Sequence, residues 1–94
     1  MDNNTIIRQA KNLTYRVIDG NYYIINPVAK NTVILNKSAF EILEICNDVT
    51  FHKLCNTFLK DENNKMNITP TNYFNKNELL QFLYSLKNYE LLEF

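Results

Sequence analysis

One glycine, Gly20, stands in a chain of 94 residues that also has no tryptophan, two prolines, two cysteines and a single histidine. Each shortage removes a class of function. A glycine-rich phosphate cradle needs several residues without a Cβ so that backbone can approach the phosphate, and one glycine cannot build it. Cys46 and Cys55 are nine positions apart, not at the two-residue gap of a zinc knuckle or a redox pair. Both fall on apolar helical stripes, so they read as small buried hydrophobes with reduced thiols. His52, between Phe51 and Lys53, reads as a surface helix residue, because the pattern supplies neither a nucleophile nor an orienting carboxylate for it. The acidic residues are scattered singly among lysines, and no acid/base couple stands out. No catalytic residue, metal ligand or cofactor is expected, and the chain does not read as an enzyme.

Charge of one sign is missing as well. Ten Lys and Arg balance ten Asp and Glu, giving a formal net charge of zero. The strong positive field that a nucleic-acid or anionic-membrane binder carries is absent. No apolar run approaches the ~20 residues of a membrane span. The start, Met1 to Arg8, has no basic segment followed by a long apolar stretch, so no export signal is expected. The expectation is a cytoplasmic bacterial protein that meets neither nucleic acid nor membrane.

What is present points to a small packed module. Hydrophobic residues make up 46% of the chain, with six Tyr and six Phe, which is too much for a disordered segment. A chain of this length forms one domain with one core, burying roughly 60–65% of its unfolded surface. Asparagine is abundant, as AT-rich codon usage writes it, and some of it serves turns and helix caps.

Residues 1–12 are mostly polar and read as a flexible lead-in to a single domain over 13–94. From Leu13 the chain alternates, with Leu13, Tyr15 and Val17 on one face and Thr14, Arg16 and Ile18 on the other, the period of a strand. Asp19-Gly20 is a strong hairpin signal. Tyr22 to Ile25 forms a second strand that Asn26-Pro27 ends, since proline donates nothing to a ladder. Thr32 to Leu35 gives a third. The period then changes. Ala39, Ile42, Leu43 and Cys46 recur at helical spacing, with Asn36 or Ser38 as cap. Thr50 caps a second helix with Phe51, Leu54, Cys55 and Phe58 on its apolar side. Asn75 or Asn77 caps a third, where Leu79, Phe82, Leu83 and Leu86 form the core stripe, with Leu80, Tyr84 and Lys87 on an adjoining face. Between the last two lies a polar stretch, 61–75, read as a long loop. The tail from Leu91 to Phe94 is apolar enough to dock. The class is α+β: a three-stranded antiparallel meander followed by three helices.

This arrangement invites comparison with a winged helix-turn-helix DNA-binding regulator. The third helix, however, sets Lys76 and Lys87 against Glu78, Glu90 and Glu93 nearby, so phosphates meet no net attraction. The 61–75 connection is also too long for the tight turn of that motif. The third strand is more informative. Thr32 to Leu35 is β-branched, free of proline and charge, and at the sheet edge if the meander holds, where unpaired main-chain groups template another strand. Burial of that edge under the last helix or the tail is the plainer reading of the same residues. A second copy pairing there, as a homodimeric assembly module, is another alternative.

Asn26-Pro27, Val33-Ile34-Leu35-Asn36, Ala39, Ile42-Leu43, Asn47-Asp48, Thr50, Leu54 and Phe58, then Leu79, Phe82-Leu83, Leu86 and Leu91-Leu92, together resemble the PqqD-like family. Its members are RiPP recognition elements: peptide chaperones of winged-helix-like fold that bind the leader of a ribosomally made precursor peptide. The resemblance covers residues 13–92. Asn47-Asp48-Val49 departs from the Asp-Gly turn frequent in the family, and the 61–75 segment is longer. The resemblance implies that a leader peptide adds as a strand against the third strand, beside the third helix. Carried to this chain, the peptide-binding positions are Thr32, Val33, Ile34 and Leu35 on the strand and Leu80, Leu83, Tyr84 and Lys87 on the helix. Lys87 is expected to meet an acidic leader residue. The implied partners are the leader and a separate modifying enzyme, such as a radical SAM maturase or a lasso-type leader peptidase.

Overall fold

The structure, a computed structural model, describes residues 1–59 and 73–94. It is α+β, with three helices and two three-stranded antiparallel sheets. The strands are β1 (Ile6–Gln9), β2 (Thr14–Ile18), β3 (Asn21–Asn26), β4 (Asn31–Leu35), β5 (Val49–Thr50) and β6 (Leu92–Glu93). The helices are α1 (Lys37–Ile45), α2 (Phe51–Phe58) and α3 (Lys76–Asn88). The loop expected over 61–75 falls outside the described residues except for Tyr73, Phe74 and Asn75. Among the described residues no helix is long and apolar enough to cross a membrane.

The larger sheet is the expected meander, in the order β2-β3-β4. Asp19 and Gly20 both take positive φ, 51° and 78°, as a two-residue hairpin turn with matching twist requires. The next turn is held by one side chain. Asn26 Oδ1 accepts from the Val28 and Ala29 amides, both at 3.1 Å, which satisfies main-chain donors where the ladder stops. Each helix begins on an expected cap. Asn36 accepts from Ala39 N at 2.9 Å, Thr50 from Lys53 N at 3.2 Å, and Asn75 from Glu78 N at 2.9 Å with Glu78 returning the bond. The apolar stripes of α1, α2 and α3 meet Ile24 and Leu35 of the sheet in one core.

The lead-in is the main correction. Far from flexible throughout, residues 1–12 contain β1, which forms the centre of a second sheet in the order β5-β1-β6. Ile6 and Ile7 pair with Thr50 and Val49, and Arg8 and Gln9 with Glu93 and Leu92. Ile7 is fully buried, and the Thr5 and Asn3 carbonyls accept from the amides of Phe51 and His52 at 2.9 and 3.1 Å. Those amides open α2 and have no partner within the helix. A single apolar pair in a polar run carries no local strand signal; it is fixed by partners more than forty positions away.

Helix α3 ends in a Schellman motif. Leu91 N donates to Leu86 O at 2.9 Å and Glu90 N to Lys87 O at 2.9 Å, with Glu90 at φ 63°. Leu86 and Leu91 are both buried, the apolar contact that accompanies this motif. The reversal sends Leu92 back to pair with β1.

Candidate functional site

Strand β4 has β3 on one side and, among the described residues, no strand on the other. Antiparallel pairing uses every second residue of a strand toward one neighbour, so half of its main-chain groups face outward. Nothing along β4 blunts that edge: its five residues, Asn31 to Leu35, include no proline and no charge. The side chains alternate. Val33 and Leu35 face the core with Ile24 and Tyr22 across the ladder, whereas Thr32 and Ile34 lie opposite Ile25 and Tyr23 on the outer face. Ile34 is 58% exposed.

The start of this edge is tied to the end of α3. Asn31 Nδ2 donates to Tyr89 O at 2.9 Å, and Asn26 Nδ2 to Glu90 O at 2.7 Å. The two asparagines pair across the β3–β4 turn and share the inward face, so one ladder rung carries both bonds. Asn31 Oδ1 is buried with no hydrogen-bond partner, an open acceptor at the foot of the edge strand.

The expected positions separate into three groups. Thr32 and Ile34 are exposed, and Val33 and Leu80 are half-buried against the core. Leu35 is buried, and Leu83 is fully buried in the core. These two hold strand and helix in place and are not contact residues, which corrects their assignment to a peptide-binding surface. The stripe places Leu83 in line with Leu79 and Leu86, and that periodicity decides its side. Tyr84 is 46% exposed but meets Phe94 edge-on at 5.6 Å. Lys87 sits over the Phe94 ring at 4.3 Å and donates to its main-chain oxygen. The cation expected to meet a partner's carboxylate is therefore already engaged by this chain.

An open concavity of about 550 Å³ runs along the outer face of α3, lined by Asn77, Leu80, Gln81, Tyr84, Ser85 and Asn88. None of these carries a charge. A larger cavity, about 660 Å³, lies elsewhere, between the β1–β2 connection, the β3–β4 turn and the tail, with Asn26, Val28, Lys87 and Phe94 in its wall. Asn31 and Tyr89 were not singled out by sequence pattern, and Phe94 only as the end of a tail apolar enough to dock. Asn31 shares the alternation of Val33 and Leu35, which marks it as inward-facing; Tyr89 had no comparable signal.

Elsewhere the chemistry is sparse. His52 is exposed and lies 3.3 Å from Asn56 through Nε2. Cys46 and Cys55 are buried and form no disulfide, and burial pushes the Cys46 thiol up to about 12. Among the described residues no group of three His, Cys, Asp or Glu is placed to hold a metal ion. Comparison with protein-family models, with curated proteins and with solved structures finds no match to this chain.

Proposed function

We propose that the chain is a peptide-binding module that captures the leader of a ribosomally made precursor peptide as an added strand on β4 and presents it to a separate modifying enzyme. The observation that carries this reading is the uncharged β4 edge, which pairs with no further strand among the described residues and is fastened to the end of α3 through Asn31 and Tyr89. Main-chain bonds to such an edge attach a peptide whatever its sequence, and alternate side chains supply choice. Residues of the added strand fall alternately beside Thr32 and Ile34 on the outer face and beside Val33 on the inner one. The helix contribution narrows to Leu80 and Tyr84, since Leu83 lies in the core. No catalytic group is needed for this work. Holding a substrate near an enzyme raises its effective concentration instead.

The test uses peptides spanning the N-terminal segments of short open reading frames adjacent to the chain's own gene. Titrated into isotope-labelled protein, a leader shifts the amides of Thr32 to Leu35 together with those of α3, and the shifts saturate. Scattered shifts, or none up to about 1 mM, which is already beyond weak specific affinity, contradict the reading.

A further inference from the structure

The charge pattern around β4 specifies which peptide fits, a conclusion that rests on strand addition at that edge. The five residues of β4 are all uncharged, although charged residues make up 21% of the chain. The first cations reached beyond the strand are Lys30 at one end and Lys37 at the other, seven positions apart. Both are exposed. Among the described residues neither joins an ion pair; Arg8 is paired with Asp48, and Lys87 lies on Phe94. Glu90 lines the cavity behind the β3–β4 turn with Val28 and Ala29 but makes no ion pair with Lys30.

The Lys37 end is reinforced. Lys37 is the first residue of α1, and the first turn of that helix, capped by Asn36, has no acidic residue, so the positive end of the helix dipole adds to the charge of the lysine. At the other end Lys30 takes φ 57° immediately before Asn31, which fixes its main chain at the strand's entrance. We infer that the edge takes a segment whose middle is uncharged and apolar at alternate positions, bracketed by acidic residues about seven positions apart. Each acidic end meets one lysine while the strand between them pairs with β4. Longer-range attraction to two cations also aligns the peptide before it pairs, because a slip of one residue exchanges its inner and outer faces.

Three synthetic octapeptides test this: Glu-Ser-Val-Thr-Ile-Ser-Val-Glu, and the same sequence with Gln or with Lys at both ends. Binding is followed by the amide shifts of Thr32 to Leu35, at low and at high salt. The Glu-ended peptide is expected to bind about tenfold more tightly than the Lys-ended one, with the Gln form between. Salt narrows the difference. In the Lys30→Gln/Lys37→Gln double variant all three bind alike; both residues are exposed and outside the core, so the fold is retained. Equal binding of the three to the unaltered protein, with β4 shifting, overturns the acidic-bracket inference and leaves strand addition standing. Failure of all three to shift β4 overturns the inference together with the reading on which it rests.

Discussion

Asn31 and Tyr89, fifty-eight positions apart, are joined by a 2.9 Å hydrogen bond from a side-chain amide to a main-chain oxygen. That bond fixes where the last helix lies relative to the edge strand. Its neighbour from Asn26 to Glu90 O at 2.7 Å does the same one strand further in. The pair differ in how completely they are used. Asn26 is buried and makes three bonds, whereas the Asn31 oxygen has no partner.

Replacing Asn26 by Ala strands two turn amides and one carbonyl, and is expected to cost about 2–3 kcal/mol. Asn31→Ala loses a single bond and an unsatisfied acceptor, so its cost is about 1 kcal/mol or less. Urea denaturation of the two variants measures both. Equal losses would show that the two asparagines do not divide the work in this way.

Ile7→Ala is expected to cost about 3 kcal/mol, because the side chain is fully buried at the centre of the second sheet. Ile6→Ala, at a 43% exposed position of the same strand, is expected to cost under about 1 kcal/mol. Similar small losses for both would return residues 1–12 to the status of a lead-in.

How far the sequence could be read follows from the range of the interactions. Hairpin turn, helix caps and apolar stripes are signalled within a few residues, and Asp19-Gly20, Thr50, Asn75 and the Leu79–Leu83–Leu86 stripe all stand where periodicity puts them. Strand β1 depends on Val49, Thr50, Leu92 and Glu93, whose proximity only the closed fold creates. The candidate edge was visible as an uncharged β-branched run. The occupation of Lys87 by Phe94 was not, because it depends on the reversal after α3 that brings the tail back along the helix.

That reversal uses Glu90 in the left-handed region, at φ 63°, where an ordinary side chain costs about 1 kcal/mol and glycine little. Glu90→Gly retains the main-chain bonds to Lys87 and Asn26 and is expected to stabilise the fold by up to about 1 kcal/mol. The urea midpoint should rise with an unchanged slope. A fall in midpoint would mean that the Glu90 side chain contributes more than its backbone strain removes.

Cys46 makes stability depend on alkaline pH. Its thiol is raised from 9.0 to about 12 by burial, so between those values the unfolded chain loses a proton that the folded one keeps. Stability is therefore unaffected by this group below about pH 8 and falls as pH rises through 9 toward 12, by at most ~1.4 kcal/mol per pH unit. Tyrosines and lysines titrate in the same window, so the comparison is with Cys46→Ala, in which this component of the slope disappears. Identical pH profiles for the two proteins would contradict it.

The claim that a peptide pairs along β4 is tested most directly by amide hydrogen exchange of the free and peptide-saturated protein, residue by residue. Strand addition predicts that alternate amides of Asn31 to Leu35, those that do not point toward β3, become protected, while those of β2 at the opposite edge keep their rates. A bound peptide that protects β2 instead, or that leaves the period-two pattern along β4 unchanged, would contradict the account.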